Sequence, residues 1–240
     1  RAEDGSDNGV RLLDVNADGF LDVVIGNDAK QETRLWDPRE ATWSTSRFPF
    51  RIVTRGKDRG PRETGVKFAV LGTNGFASAI VSSEDEKGLA HFDGSRWVLA
   101  SDHLLERLGV ESGLLVTARN GRDSGTRLRD VDGEGFSELL VSNESQNAAF
   151  RWDKTAHGFK KLPFALPSPS SIAGKDGQDR GLRFWDVNAD GHDDAVLSND
   201  DAYYVYLWDS PERGWARRVL HGPAGAVGAL PKISSDGKDM

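Results

Sequence analysis

Four gap-free stretches of the chain carry the same order of apolar and polar positions. They are RLLDVNADGFLDVVIGN (11–27), KFAVLGTNGFASAIVSS (67–83), RLRDVDGEGFSELLVSN (127–143) and RFWDVNADGHDDAVLSN (183–199). In each, a short apolar run enters a turn-rich segment and a second apolar run leaves it. Their fourth residues, Asp14, Val70, Asp130 and Asp186, lie 56, 60 and 56 positions apart. Gly-x-basic precedes every copy: Gly9 and Arg11, Gly65 and Lys67, Gly125 and Arg127, Gly181 and Arg183. An aromatic followed by Asp stands 22 positions after each fourth residue: Trp36-Asp37, Phe92-Asp93, Trp152-Asp153 and Trp208-Asp209. A second aromatic follows: Trp43, Trp97, Phe159 and Trp215. An offset held four times makes the chain four copies of one unit.

Within the first copy the pattern predicts four short strands, over 9–15, 21–27, 33–37 and 43–50. β-Branched, aromatic and Leu residues fill them, and turn residues separate them. Four strands in a repeat of this length define an all-β chain, a β-propeller of four-stranded antiparallel blades. The blades are 1–55, 56–118, 119–173 and 174–229, with a tail over 230–240. A parallel β-helix uses shorter repeats, and leucine-rich or helical repeats carry a 3.6 period. The paired aromatics are expected to pack between neighbouring blades. The second copy is longer, and its extra residues include SDHLLERLG (101–109), which predicts a helical turn capped by Ser101 or Asp102.

The turn-rich segment carries the chemistry. Counting from Asp14, side-chain oxygens sit at positions 1, 3, 5 and 9 (Asp14, Asn16, Asp18, Asp22), with Gly19 at position 6. Position 7, Phe20, offers its carbonyl. Five oxygens within nine residues suit Ca²⁺, a hard cation that takes six to eight oxygen ligands. Position 12 is Ile25, not the bidentate Glu of an EF-hand, and it lies in a strand rather than beside a helix. The expected affinity is therefore the weaker one of extracellular modules. The fourth copy repeats the set with Asp186, Asn188, Asp190, the carbonyl of His192, and Asp194; Asp193, at position 8, should point away. The third copy offers Asp130, Asp132, Glu134, the carbonyl of Phe136, and Glu138, with longer arms, and counts as a third Ca²⁺ site. The second offers Val70, Gly72, Asn74 and Ser78, has no carboxylate, and should be held by its turn alone. A plain Asx-type turn is the competing explanation, but crowded carboxylates without a cation repel.

Composition narrows the function. Apolar residues are 37% of the 240, and the formal net charge is −7. With pI near 5.3 and mean hydropathy −0.53, nucleic acid is excluded as a partner, because it wants a basic face. No apolar run reaches the length of a membrane span. There is no cysteine, so disulfides and thiolate chemistry are excluded. The five histidines, His91, His103, His157, His192 and His221, have no ligand spacing. No G-x-S-x-G and no phosphate loop occurs, so no catalytic residue is assigned. Arg11, Lys67, Arg127 and Arg183 begin the innermost strand of each blade. They form either local ion pairs, with Asp7, Glu63, Asp123 and Asp179, or a basic ring facing an anionic ligand. The first residues, RAEDGSDNG, are no signal peptide, and the chain is read as an excerpt or a processed form.

The motif D-x-[DN]-x-D-G-x-x-D between two strands resembles the FG-GAP/VCBS-type β-propellers, found in integrin α-subunits and many bacterial secreted proteins. The resemblance covers all four copies and is strongest in the first and fourth. It implies peripheral Ca²⁺ that stiffens each blade, a secreted, periplasmic or cell-surface location, and a non-enzymatic scaffold for a protein or glycan partner. The alternative is the propeller part of a secreted carbohydrate-active enzyme, a lyase or sugar-converting enzyme working through top-face loops or a further domain. Family rings usually have seven or eight blades. The triplet GKD at Gly237–Asp239 echoes those at Gly56–Asp58 and Gly174–Asp176, so the tail resembles the start of a further blade. A longer array, or a homodimer completing an eight-bladed ring, is expected in preference to a closed four-bladed ring.

Overall fold

The computed structural model describes residues 6–55, 60–100, 109–110, 113–153, 155 and 158–240. The helical turn expected over 101–109 falls, but for Gly109, outside the described residues, as do the first GKD triplet, His103 and His157. The chain divides into two compact units, Arg1–Arg122 and Asp123–Met240. Each unit contains two of the four repeats. The protein is all-β, with antiparallel four-stranded sheets and no α-helix among the described residues.

The first unit holds one sheet of Val10–Leu13, Asp22–Gly26, Gln31–Asp37 and Thr42–Ser46 and another of Lys67–Val70, Ala77–Ser82, Lys87–Phe92 and Trp97–Leu99. In both, each strand pairs with the next in sequence. The fourth strand of the first sheet was expected to run through Phe50 but ends at Ser46. Pro49 has no N–H to give a ladder, and Phe48 and Phe50 turn inward to the core, where they are almost fully buried. There they meet Val24, Ala79, Ala90 and Trp97.

The second unit repeats the plan. Its sheets are Thr126–Arg129, Glu138–Ser142, Asn147–Asp153 and Gly158–Lys161, then Leu182–Trp185, Asp194–Ser198, Ala202–Leu207 and Arg217–Pro223. Its core gathers Leu140, Phe164, Leu166, Ile172, Phe184, Trp208 and Trp215. A smaller cluster places Leu230 and Ile233 of the tail on Val196, Val205 and Leu207.

The segments following the sheets attach in one way. Ile52 N–H donates to Gly26 O (2.8 Å), Thr117 to Ser82 (2.9 Å), Ile172 to Ser142 (3.2 Å) and Ile233 to Ser198 (2.9 Å). After Ile52 and Ile233 comes a short hairpin, Val53–Arg55 with Pro61–Glu63, and Ser234–Ser235 with Lys238–Asp239. After Ile172 the chain makes the single bridge Ala173–Asp179. The tail thus adopts the form that elsewhere precedes a sheet.

The Gly of Gly-x-basic has a steric cause. At Gly9, Gly125 and Gly181 φ is +72°, +75° and +76°, and a Cβ would stand 2.3, 2.3 and 2.4 Å from a carbonyl oxygen of the second strand. No other residue tolerates both. Gly19, Gly135 and Gly191, at loop position 6, have φ of +86°, +85° and +88° with open space where a Cβ would go. There the glycine supplies conformation alone.

Candidate functional site

The first and fourth loops form the same hydrogen-bonded frame. Asp14 accepts from the N–H of Asp18 (3.1 Å) and Gly19 (2.8 Å). Asn16 Nδ2 donates to Asp18 Oδ2 (2.9 Å), and Phe20 N–H to Asp18 Oδ1 (2.9 Å). Asp186, Asn188, Asp190 and His192 reproduce these bonds at 2.8–3.0 Å, and Asp190 N–H also donates to Asn188 Oδ1 (3.2 Å).

Position 9 plays a role that its spacing did not reveal. Asp22 and Asp194 are fully buried. Asp22 accepts from Val15 N–H and Trp36 N–H, both at 2.9 Å. Asp194 accepts from Val187 N–H (3.1 Å) and Trp208 N–H (2.8 Å). This carboxylate pins the loop to the third strand. The 14-residue step from Asp22 to Trp36 and from Asp194 to Trp208 was the available signal.

Electrostatics bear on whether a cation fits. Burial pushes the Asp22 carboxyl up, the N–H groups of Trp36 and Val15 oppose this, and the charges of Asp18 and Asp14 add to the rise. Asp194 is raised by burial in the same way, with Asp190 and Asp186 adding to it. Asn16 Oδ1 is buried with no hydrogen-bond partner. An orphaned carbonyl-type oxygen beside carboxylates belongs to the donor set a hard divalent ion takes, so the residues of the first loop fit Ca²⁺; the fourth loop carries the same residue types, but its Asn188 Oδ1 accepts from Asp190 N–H. Each carboxylate oxygen that accepts one N–H keeps a second lone pair for it.

The third loop is built differently. Among the described residues, Asp130, Asp132 and Glu138 are the three acidic groups whose oxygens lie within 4.8 Å of one another. Arg151 sits on them. Its Nη2 binds Asp132 Oδ2, its Nε donates to Glu138 Oε1 (3.2 Å), and its Nη1 is 3.8 Å from Glu134. Glu138 also accepts from Val131 N–H (3.2 Å). Burial, reinforced by the Asp132 charge, raises the Glu138 carboxyl to about 7. In the second loop Asn74 Oδ1 accepts from Phe76 N–H (3.2 Å), and Ser78 Oγ lies 2.8 Å from His91 Nδ1. Burial holds the His91 imidazole below its usual pKa, which favours the neutral ring.

Loops of consecutive sheets are stitched within each unit. Ala77 N–H donates to Val15 O (2.9 Å), and Asp193 N–H to Val131 O (3.1 Å). Asp193 does point away from its own loop, and it pairs with Arg129 at 2.7 Å.

The repeated basic residues have local partners. Arg11, Arg127 and Arg183 pair with Asp7, Asp123 and Asp179 four residues earlier, at 2.7, 2.5 and 2.6 Å. Arg183 also binds Asp239 (2.6 Å), and Arg11 lies 3.8 Å from Glu63. Lys67 opens the first strand of the second sheet.

A separate feature lies in the second unit. A cleft of about 240 Å³ is lined by Pro169, Ser171, Arg180, Leu197, Asp201 and Tyr204. Tyr204 stacks on Tyr206 (centroids 6.2 Å apart, planes at 29°). It stands 18 positions after Asp186; the matching residues are Glu32, Gly88 and Ala148. The wall over 167–171 also departs from the repeat. One residue, Arg51, separates Phe50 from Ile52, whereas five separate Leu166 from Ile172. Among the described residues, the Arg180 guanidinium, the Asp201 carboxylate, the Ser171 hydroxyl and the Tyr204 hydroxyl form no hydrogen bond or ion pair.

The fold and these sites define an all-β protein of repeated antiparallel four-stranded sheets. No known family and no curated protein matches the chain. Among solved structures, a lectin of Agrocybe aegerita, solved for specific recognition of non-reducing terminal N-acetylglucosamine, is 15% identical with a TM-score of 0.53, over 88% of this chain and 50% of that one. The Tc holotoxin pore of Photorhabdus luminescens, carrying the TccC3-D651A mutation, is 19% identical with a TM-score of 0.51, over 92% of this chain and 10% of that one. This chain therefore spans half or less of the length of each, and the likeness is one of fold.

Proposed function

We propose that this protein is a calcium-stabilised β-propeller module of the FG-GAP/VCBS type that works outside the cytoplasm as a non-enzymatic binder of glycans. The observation that carries the ligand class is the cleft at Tyr204. It offers an aromatic wall, an apolar floor at Leu197, and a guanidinium, a carboxylate and two hydroxyls that have no internal partner among the described residues. A pyranose presents apolar C–H faces for an aromatic ring and a rim of hydroxyls for such groups. Ligand sites commonly join an apolar lining to a few placed polar groups. The lectin among the structural neighbours agrees with this reading.

A glycan array probed with the intact chain tests it. Retention on terminal pyranosides is expected, with loss of about tenfold in affinity for Tyr204→Ala and for Asp201→Ala. Retention unchanged in both variants would move the ligand elsewhere, and an empty array would remove the glycan reading. Turnover of a polysaccharide by the chain alone would replace the binder by an enzyme.

Calcium in the first and fourth loops would act on the fold. Their side chains Asp14, Asn16, Asp18 and Asp22, and Asp186, Asn188, Asp190 and Asp194, would hold the ion, with the carbonyls of Phe20 and His192. A ligand bound only to the folded state adds about 1.4 kcal/mol per site at tenfold excess over Kd. Chelation should lower the melting temperature, and Asp18→Ala or Asp190→Ala should each shrink that shift. A melting curve indifferent to chelator would reduce the loops to turns.

A further inference from the structure

We propose that Arg151 is the resident cation of the third loop, standing where the first and fourth loops take a divalent ion. The inference rests on the reading that those two loops bind calcium.

The argument begins with one repeat position. Arg151 lies 21 residues after Asp130, and the matching residues are Leu35, His91 and Leu207. In the second sheet the register pairs His91 with Ser78, the position-9 residue. The registers of the other sheets stop one step short, at Val23 with Arg34, Leu139 with Phe150, and Ala195 with Tyr206. One further step sets Asp22 opposite Leu35, Glu138 opposite Arg151, and Asp194 opposite Leu207. Position 9 and position 22 are cross-strand partners in every repeat.

Their chemistry covaries along the chain. Ser78 faces a histidine whose pKa burial lowers, and the two hydrogen-bond. Glu138 faces a guanidinium. Asp22 and Asp194 face leucines that give no charge. Two loops therefore carry uncompensated carboxylates, one has no carboxylate, and one holds its own counter-ion. A fixed guanidinium fork suits this task, because it stays charged and reaches several carboxylates at once.

This also explains why the carboxylates converge only in the third loop. Arg151 bridges Asp132 and Glu138 and approaches Glu134. Asp132 and Glu138 are both buried, where a paired charge is required. The guanidinium thus draws Asp132 and Glu138 together. Of the acidic residues of this loop, Asp130 is the one that Arg151 does not touch, and its Oδ1 is buried without a hydrogen-bond partner among the described residues. It marks the space into which an ion would move if the arginine were removed.

Equilibrium dialysis with Ca²⁺ on the full chain tests the proposal. The wild type is expected to bind two ions, Arg151→Leu three, and Leu207→Arg one. In chelator the Arg151→Leu variant should melt below the wild type, and added Ca²⁺ should restore it. Three ions in the wild type, or no gain in Arg151→Leu, would overturn the proposal. If Arg151→Leu does not fold, Leu207→Arg decides: a chain that still binds two ions would sink the idea. Two other outcomes separate the two readings. A wild type that binds none while Arg151→Leu gains one would refute calcium in the first and fourth loops and leave the role of Arg151 intact. A wild type and an Arg151→Leu variant that both bind none would refute both.

Discussion

Replacing Trp215 with alanine is expected to destabilise the protein by about 3–5 kcal/mol, the range for deleting a buried aromatic. Trp215 is 3% exposed. Its ring meets Trp208, Phe184 and Phe164 at centroid distances of 5.2, 5.4 and 5.7 Å. Its Nε1–H donates to Asp193 O at 2.8 Å, so truncation also orphans an acceptor on the fourth loop. Trp43 occupies the same repeat position in the first sheet, directly opposite Trp36 in the register. It is 46% exposed, and among the described residues its ring contact is Trp36, at 5.0 Å. Trp43→Ala should therefore cost less, about 1 kcal/mol, the scale of one aromatic pair at a surface. Urea unfolding of the two variants side by side measures the difference. Equal losses would mean that the two repeats bury their aromatics alike.

Asp194→Ala is expected to cost about 2–4 kcal/mol, and to do so in the presence of chelator. The fully buried carboxylate accepts from Trp208 and Val187. Removing an acceptor costs roughly 1–3 kcal/mol for each donor left unsatisfied. Asp190, on the exposed part of the same loop, should behave otherwise: in chelator Asp190→Ala loses well under half as much. Denaturation of both variants with and without Ca²⁺ separates the pin from the ligand. A chelator that abolished the effect of Asp194→Ala would make its role purely that of a metal ligand.

These two expectations mark where sequence and structure part. The four-fold repeat, the strand pairs flanking each loop and the glycine at loop position 6 are local features. Periodicity and turn chemistry express them within a few residues, so they are legible along the chain. The pattern extended to ion pairs as close as Arg183 and Asp179, four residues apart. It placed the carboxylates of the loops but ranked them alike, because spacing does not report burial. Asp22 and Asp194 emerged as pins only when the second strand was paired with the third, since that pairing delivers the N–H groups of Trp36 and Trp208. The β propensity of Phe48 and Phe50 favours a strand, and core burial overrides it.

By itself, then, the sequence determined that the chain is all-β, that it is built of four like units, and where its oxygen-rich turns lie. Each follows from contacts between residues near in sequence. The tertiary structure alone decided that Arg151 reaches across a strand into the third loop and that Trp215 is buried while Trp43 is not. It also brought a proline-rich segment and Tyr204 together around a cleft. These outcomes depend on register and on which face of a sheet is covered. Repeats that are equal in sequence are unequal in their neighbours, and burial is a property of neighbours.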